Sequence, residues 1–132
     1  MTEDRRHLEP GPDHPITVEP AADRVTVRVG EVLVAETDRA LELREGSHPP
    51  VRYVPLEDVR DELLRPSELH TYCPYKGEAS YYDLVPSAGQ ALRGAVWYYP
   101  TPYPAVGGIA GYVAFYPDRV TVSAGPSSGR EA

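Results

Sequence analysis

Apolar and polar residues alternate along much of this chain, and a period of two is the signature of half-buried strands. Val25, Val27 and Val29 alternate with Arg24, Thr26 and Arg28. Gly30-Glu31 then leads into Val32-Leu33-Val34-Ala35, which predicts the return arm of a hairpin. Leu41-Glu42-Leu43-Arg44 alternates again, and Val51-Arg52-Tyr53-Val54 is a short β-branched and aromatic run ended by Pro55. Further strands are predicted over 79–85, 95–99, 112–116 and 119–122, with turns at Pro86-Ser87-Ala88-Gly89 and Pro117-Asp118. Pro100, Pro102 and Pro104 impose an irregular, largely extended passage.

One window departs from this pattern. Residues 56–64 open with Glu57 and Asp58 and place Val59, Leu63 and Leu64 on one stripe, which predicts a short helix stopped by Pro66. Two turns are not stable alone, so such a helix must pack on a sheet. Asp-Arg-Val-Thr-Val occurs twice, at 23–27 and 118–122, but nothing around the copies repeats. Strands draw on few residue types, so coincidence accounts for it. Many short strands separated by turns imply an all-β architecture of small sheets with one short helix.

The ends differ in character. Residues 1–22 hold Pro10, Pro12, Pro15 and Pro20 with mixed charges, and residues 124–132 are small and polar. Neither buries enough apolar surface to offset ordering, so both are expected to be loose tails around a single β domain at 23–123. A core of that length folds without disulfides or metal.

Net charge is −7, with Lys and Arg scattered, which argues against nucleic-acid binding. The single cysteine excludes an intrachain disulfide and a four-thiolate zinc site. His48, His70 and Asp58 are too dispersed for ligand spacing, so no metal or cofactor is expected. No leader-like opening and no apolar run of about 20 residues is present, so the expectation is a soluble cytoplasmic protein without a membrane partner.

Chemistry concentrates in His70-Thr71-Tyr72-Cys73-Pro74-Tyr75-Lys76-Gly77. The only cysteine stands three residues before the only lysine, although the chain has 13 basic residues. Pro74 and Gly77 suit a turn that brings the two together, and a neighbouring ammonium favours the reactive thiolate form of a cysteine. Cys73 is therefore a candidate nucleophile, Lys76 its activator or an anion holder, and His70 a possible acid-base. In an extended segment, however, His70 points away from Cys73. Cysteine also serves as a small buried hydrophobe, and Lys76 as a solvated surface charge. Ten tyrosines against one phenylalanine are the second unusual feature. Tyr53, Tyr72, Tyr81, Tyr99 and Trp97, with His48 nearby, are candidates to line a ligand cleft, although rings with one wet end also suit sheet edges.

These residues carry a resemblance. His70-Thr71-x-Cys73-Pro74-x-Lys76-Gly77-x-Ala79-x-Tyr81 and Gly46-x-His48-Pro49-Pro50-Val51-x-Tyr53-x-Pro55-x-x-Asp58-Val59 resemble the bacterial domain-of-unknown-function family numbered 427. Ala95-Val96-Trp97-x-Tyr99-Pro100 and the block at 109–117 match its later segments, while Tyr82 stands where the family often has tryptophan. The resemblance implies a β-tent-like fold of two small antiparallel sheets. It brings no established activity. A nucleotidyltransferase label sometimes attached to the family finds no Gly-Ser loop with paired carboxylates and no Gly-rich phosphate cradle in this chain.

Three functions remain in play. The leading one is a β-domain binding a small organic ligand in an aromatic cleft beside the turn at 73–76. The others are a cysteine-dependent enzyme with Cys73 as nucleophile, and a protein-interaction module without chemistry.

Overall fold

A computed structural model describes residues 7–125 of the chain. Among the described residues ten strands form two antiparallel sheets. They are β1 (Ile16–Pro20), β2 (Arg24–Val29), β3 (Val32–Thr37), β4 (Leu41–Glu45), β5 (Val51–Pro55), β6 (Leu64–Cys73), β7 (Gly77–Ser87), β8 (Gln90–Tyr98), β9 (Tyr112–Phe115) and β10 (Thr121–Gly125). The larger sheet runs β1-β4-β5-β9-β8-β7-β6 and the smaller β10-β2-β3. The fold is all-β, as the alternation implies.

The β2–β3 hairpin forms where the sequence places it, with Val29 opposite Val32. Gly30 supplies the positive φ of 59° that a two-residue hairpin turn requires. The two copies of Asp-Arg-Val-Thr-Val meet only at their ends, where Val122 of β10 pairs with Val27 of β2.

The expected helix at 56–64 does not form. Leu56–Asp58 and Asp61–Leu63 are separate 3-10 turns, and β6 begins at Leu64. Between them Arg60 is extended, with φ −72° and ψ 97°, and its N–H donates to the Val34 carbonyl at 2.9 Å. Val59 bridges to Ala35 of β3. The apolar stripe is buried as expected, but the backbone spends its hydrogen bonds on a neighbouring strand. A two-turn helix has too few internal bonds to resist that competition. Pro66 lies within β6, which tolerates it as the edge strand of its sheet.

The N-terminal segment expected to be tail contributes β1, which pairs with β4 from Ile16 opposite Glu45 to Pro20 opposite Leu41. Its alternating Ile16, Val18 pattern is short and flanked by prolines, so only the pairing partner reveals it. At the other end Ala124 and Gly125, also expected to be tail, complete β10, and of the expected tails residues 1–6 and 126–132 lie outside the described residues.

Strand parity divides the large sheet's side chains between two cores. Val54, Val96, Val113 and Phe115 face a cluster shared with Val25, Val27 and Val34 of the small sheet. Tyr53, Trp97 and Ala114 alternate to the other face, where Leu43, Tyr81, Tyr99, Val106 and Ile109 complete a second cluster. The 3-10 segment Pro104–Ile109 caps that side. Each fully buried Val, Ile or Phe side chain contributes about 1.5–3 kcal/mol relative to exposure, so both faces hold the sheet in place. Among the described residues no helix is long and apolar enough to cross a membrane.

Candidate functional site

The β6–β7 hairpin is closed by the turn anticipated from Pro74 and Gly77. The Lys76 N–H donates to the Cys73 carbonyl at 3.2 Å, and Gly77 has φ +113°. The Lys76 carbonyl then accepts from the Tyr103 N–H at 3.0 Å, which anchors the hairpin tip to the proline-rich passage. A Cβ at Gly77 would meet the Thr101 carbonyl at 3.4 Å, an ordinary contact, so glycine answers a conformational need.

Lys76 is 9% exposed, unusual for a lysine, and has a partner to match. Its Nζ donates to Glu45 Oε1 at 2.7 Å. The second oxygen, Oε2, lies 2.6 Å from His14 Nε2, and the His14 ring stacks on Tyr75 at 3.9 Å between centroids. Burial is the largest influence on Glu45 and pushes its carboxyl up. The hydrogen bonds and charges of Lys76 and His14 together outweigh it and hold the carboxyl below its ordinary value.

Lys76 and Glu45 border a cavity of about 240 Å³. Tyr53 of β5, Tyr81 of β7, Trp97 of β8, then Tyr99 and Tyr116 bring aromatic rings to it, and His48 and Pro49 close one side. Trp97 packs on Tyr116 at 4.4 Å and edge-on to Tyr53 at 6.4 Å. The Trp97 indole N–H donates to the Tyr53 hydroxyl at 3.4 Å. The Tyr81 hydroxyl is within 2.9 Å of Thr71 Oγ1 and 3.5 Å of the Tyr116 hydroxyl. Among the described residues the Tyr99 hydroxyl has no hydrogen bond. Burial pushes the Tyr53 and Tyr99 phenols well above their ordinary range, and burial with the Tyr81 hydroxyl pushes Tyr116 up to about 12. All three hydroxyls therefore remain protonated at neutral pH and can donate.

Six of the nine sequence-nominated residues meet here: Tyr53, Tyr81, Trp97, Tyr99, His48 and Lys76. Three do not. Cys73 is half-buried and packs against the second core cluster without lining the cavity, and the Lys76 ammonium is engaged by Glu45. His70 lies on the exposed face of β6, its Nδ1 3.3 Å from Ser80 Oγ. The segment is a regular strand there, so parity separates His70 from Cys73 as the sequence implied. Tyr72 is half-buried away from the cavity, its hydroxyl 2.6 Å from that of Tyr103.

Sequence reasoning missed Glu45, Tyr116 and His14. Glu45 had a signal: it continues the Leu41, Leu43 phase of β4, so a carboxylate falls on an inward-facing position. His14 had none, because its segment reads as tail.

A larger groove of about 730 Å³ lies beside the two 3-10 turns, lined by Arg39, Glu57, Asp61 and Tyr82 among others. Arg39 is paired with Glu57 and Asp58, and no nominated site residue lies there. Among the described residues no three His, Cys, Asp or Glu side chains converge as a metal site would require.

Two unequal antiparallel sheets define the class, an all-β domain. The family model described as domain of unknown function (DUF427) matches residues 17–124, and the chain belongs to that family. No curated protein matches the chain.

Proposed function

We propose that this domain binds a small organic molecule in an aromatic cleft beside the turn at 73–76. One observation carries the reading: five aromatic rings from four segments converge on a cavity that Lys76 also lines, and the Tyr99 hydroxyl is free. Protein interiors are normally packed to crystal density, and an aromatic-walled void forfeits dispersion contacts that a guest would restore. Small-molecule sites share this composition, mostly apolar walls with a few polar groups that fix orientation. The size limits the guest to a short chain or a single small ring.

The test uses the chain's only tryptophan, Trp97, which borders the cleft. A panel of small metabolite-sized compounds is screened by thermal shift, and hits are titrated by Trp97 emission. A ligand is expected to raise the melting temperature and change the emission; Tyr99→Phe should lose both effects, and Trp97→Phe combined with Tyr53→Phe, which has no tryptophan to read, should lose the thermal shift. A panel without any such ligand overturns the reading.

A further inference from the structure

The charges on the cleft wall restrict what the guest can be. Glu45 and Lys76 stand side by side at 2.7 Å, both more than four-fifths buried by side chain, and together they bring no net charge. A guest carrying a single charge would satisfy one of them and confront the other at close range in a poorly solvated site. A guest with one charge of each sign would meet both. Lys76 has three donors and spends one on Glu45, and the Tyr99 hydroxyl adds another, so an anionic group has donors waiting. Each Glu45 oxygen already has a partner, Lys76 on one and His14 on the other. The cationic end is therefore better suited if it demands no hydrogen bond, and aromatic rings attract such a cation through their faces.

We propose that the cleft binds a small zwitterion, with a carboxylate directed to Lys76 and Tyr99 and a methylated ammonium held by the aromatic rings and the Glu45 carboxylate. This deepens the ligand-binding reading above and rests on it. The geometry supplies each half of the guest with its own complement.

Three probes of nearly equal size separate the charges. Glycine betaine carries both, choline keeps the trimethylammonium without the carboxylate, and 3,3-dimethylbutyrate keeps the carboxylate with carbon in place of nitrogen. Titrations follow Trp97 emission at about pH 8, where histidines are ordinarily uncharged. Betaine is expected to bind at least about tenfold more tightly than either single-charge probe. Glu45→Gln is expected to turn the preference toward 3,3-dimethylbutyrate, and Lys76→Met toward choline, because each leaves one unbalanced charge on the wall. A single-charge probe that binds the unmodified protein as tightly as betaine overturns the proposal. So does an unchanged preference in both variants. If the variants do not fold, the three-probe comparison on the unmodified protein decides alone. If none of the probes binds while another compound of the screening panel does, the zwitterion is wrong and the cleft stands. Silence from both sets removes the two readings together.

Discussion

The Lys76 ammonium donates to the Glu45 carboxylate across 31 residues of sequence, at 2.7 Å, and ties the β6–β7 hairpin tip to the end of β4. The contact links a turn and a strand that are not neighbours in the sheet, and both side chains line the cavity of about 240 Å³.

Breaking the pair from one side is expected to destabilise the fold. Lys76→Met leaves a mostly buried carboxylate with only His14, and Glu45→Leu leaves a mostly buried ammonium alone. Partial exposure discounts the penalty of a fully buried pair, so each should cost about 2 kcal/mol. The double variant should cost less than the sum, because no charge is left unmatched. Urea unfolding of the four proteins measures the coupling, and strict additivity would show that the pair does not interact.

Acid should expose the same carboxylate. Its folded-state value is depressed below the ordinary 4.5, so its stabilisation is present above that value and is lost as pH falls through the lower one. The urea midpoint is expected to drop as pH falls below 4.5, and to drop less in Glu45→Gln. Equal slopes would remove Glu45 from the account.

Alkali should act through the buried phenols. Burial raises Tyr53 and Tyr99 above the ordinary 10.0 and brings Tyr116 to about 12. The folded state keeps these protons while the unfolded state releases them, so stability declines as pH rises above 10. Absorbance titration of the native protein at about pH 11 should count fewer tyrosinates than the same protein in denaturant, and Tyr99→Phe should narrow the gap.

Gly77→Ala is expected to cost about 1–2 kcal/mol, because its φ of 113° lies far from the left-handed region that an L-residue can enter. Gly89→Ala, at φ 80°, lies nearer that region and should cost less. Thermal melts of the two variants make the comparison, and an equal loss would show that the larger φ carries no extra strain.

Cys73 provides the remaining test. It packs against the aromatic core, and the ammonium three residues on is bound to Glu45. Iodoacetamide should alkylate it more slowly in the native protein than in denaturant. Faster native alkylation, slowed by Lys76→Ala, would restore the cysteine-dependent enzyme reading.

Local pattern determined the all-β class, the β2–β3 hairpin, and the turn at residues 73–76. These rest on local rules: side-chain parity, proline's fixed φ and glycine's freedom. The same parity placed Tyr53 opposite Val54 and separated His70 from Cys73. Tertiary structure decided the rest. It converted the apolar stripe at 56–64 from a helix into two short turns, since Val34 and Ala35 offered backbone bonds that a short helix could not match. It drew β1 out of an apparent tail by supplying β4 as partner. It also chose the partner of Lys76. The sequence offered Cys73 three residues away, but a long flexible side chain reaches whatever carboxylate the fold brings near, and desolvation makes an opposite charge the stronger claim. Local pattern sets which way a side chain points, and only packing sets what it meets there.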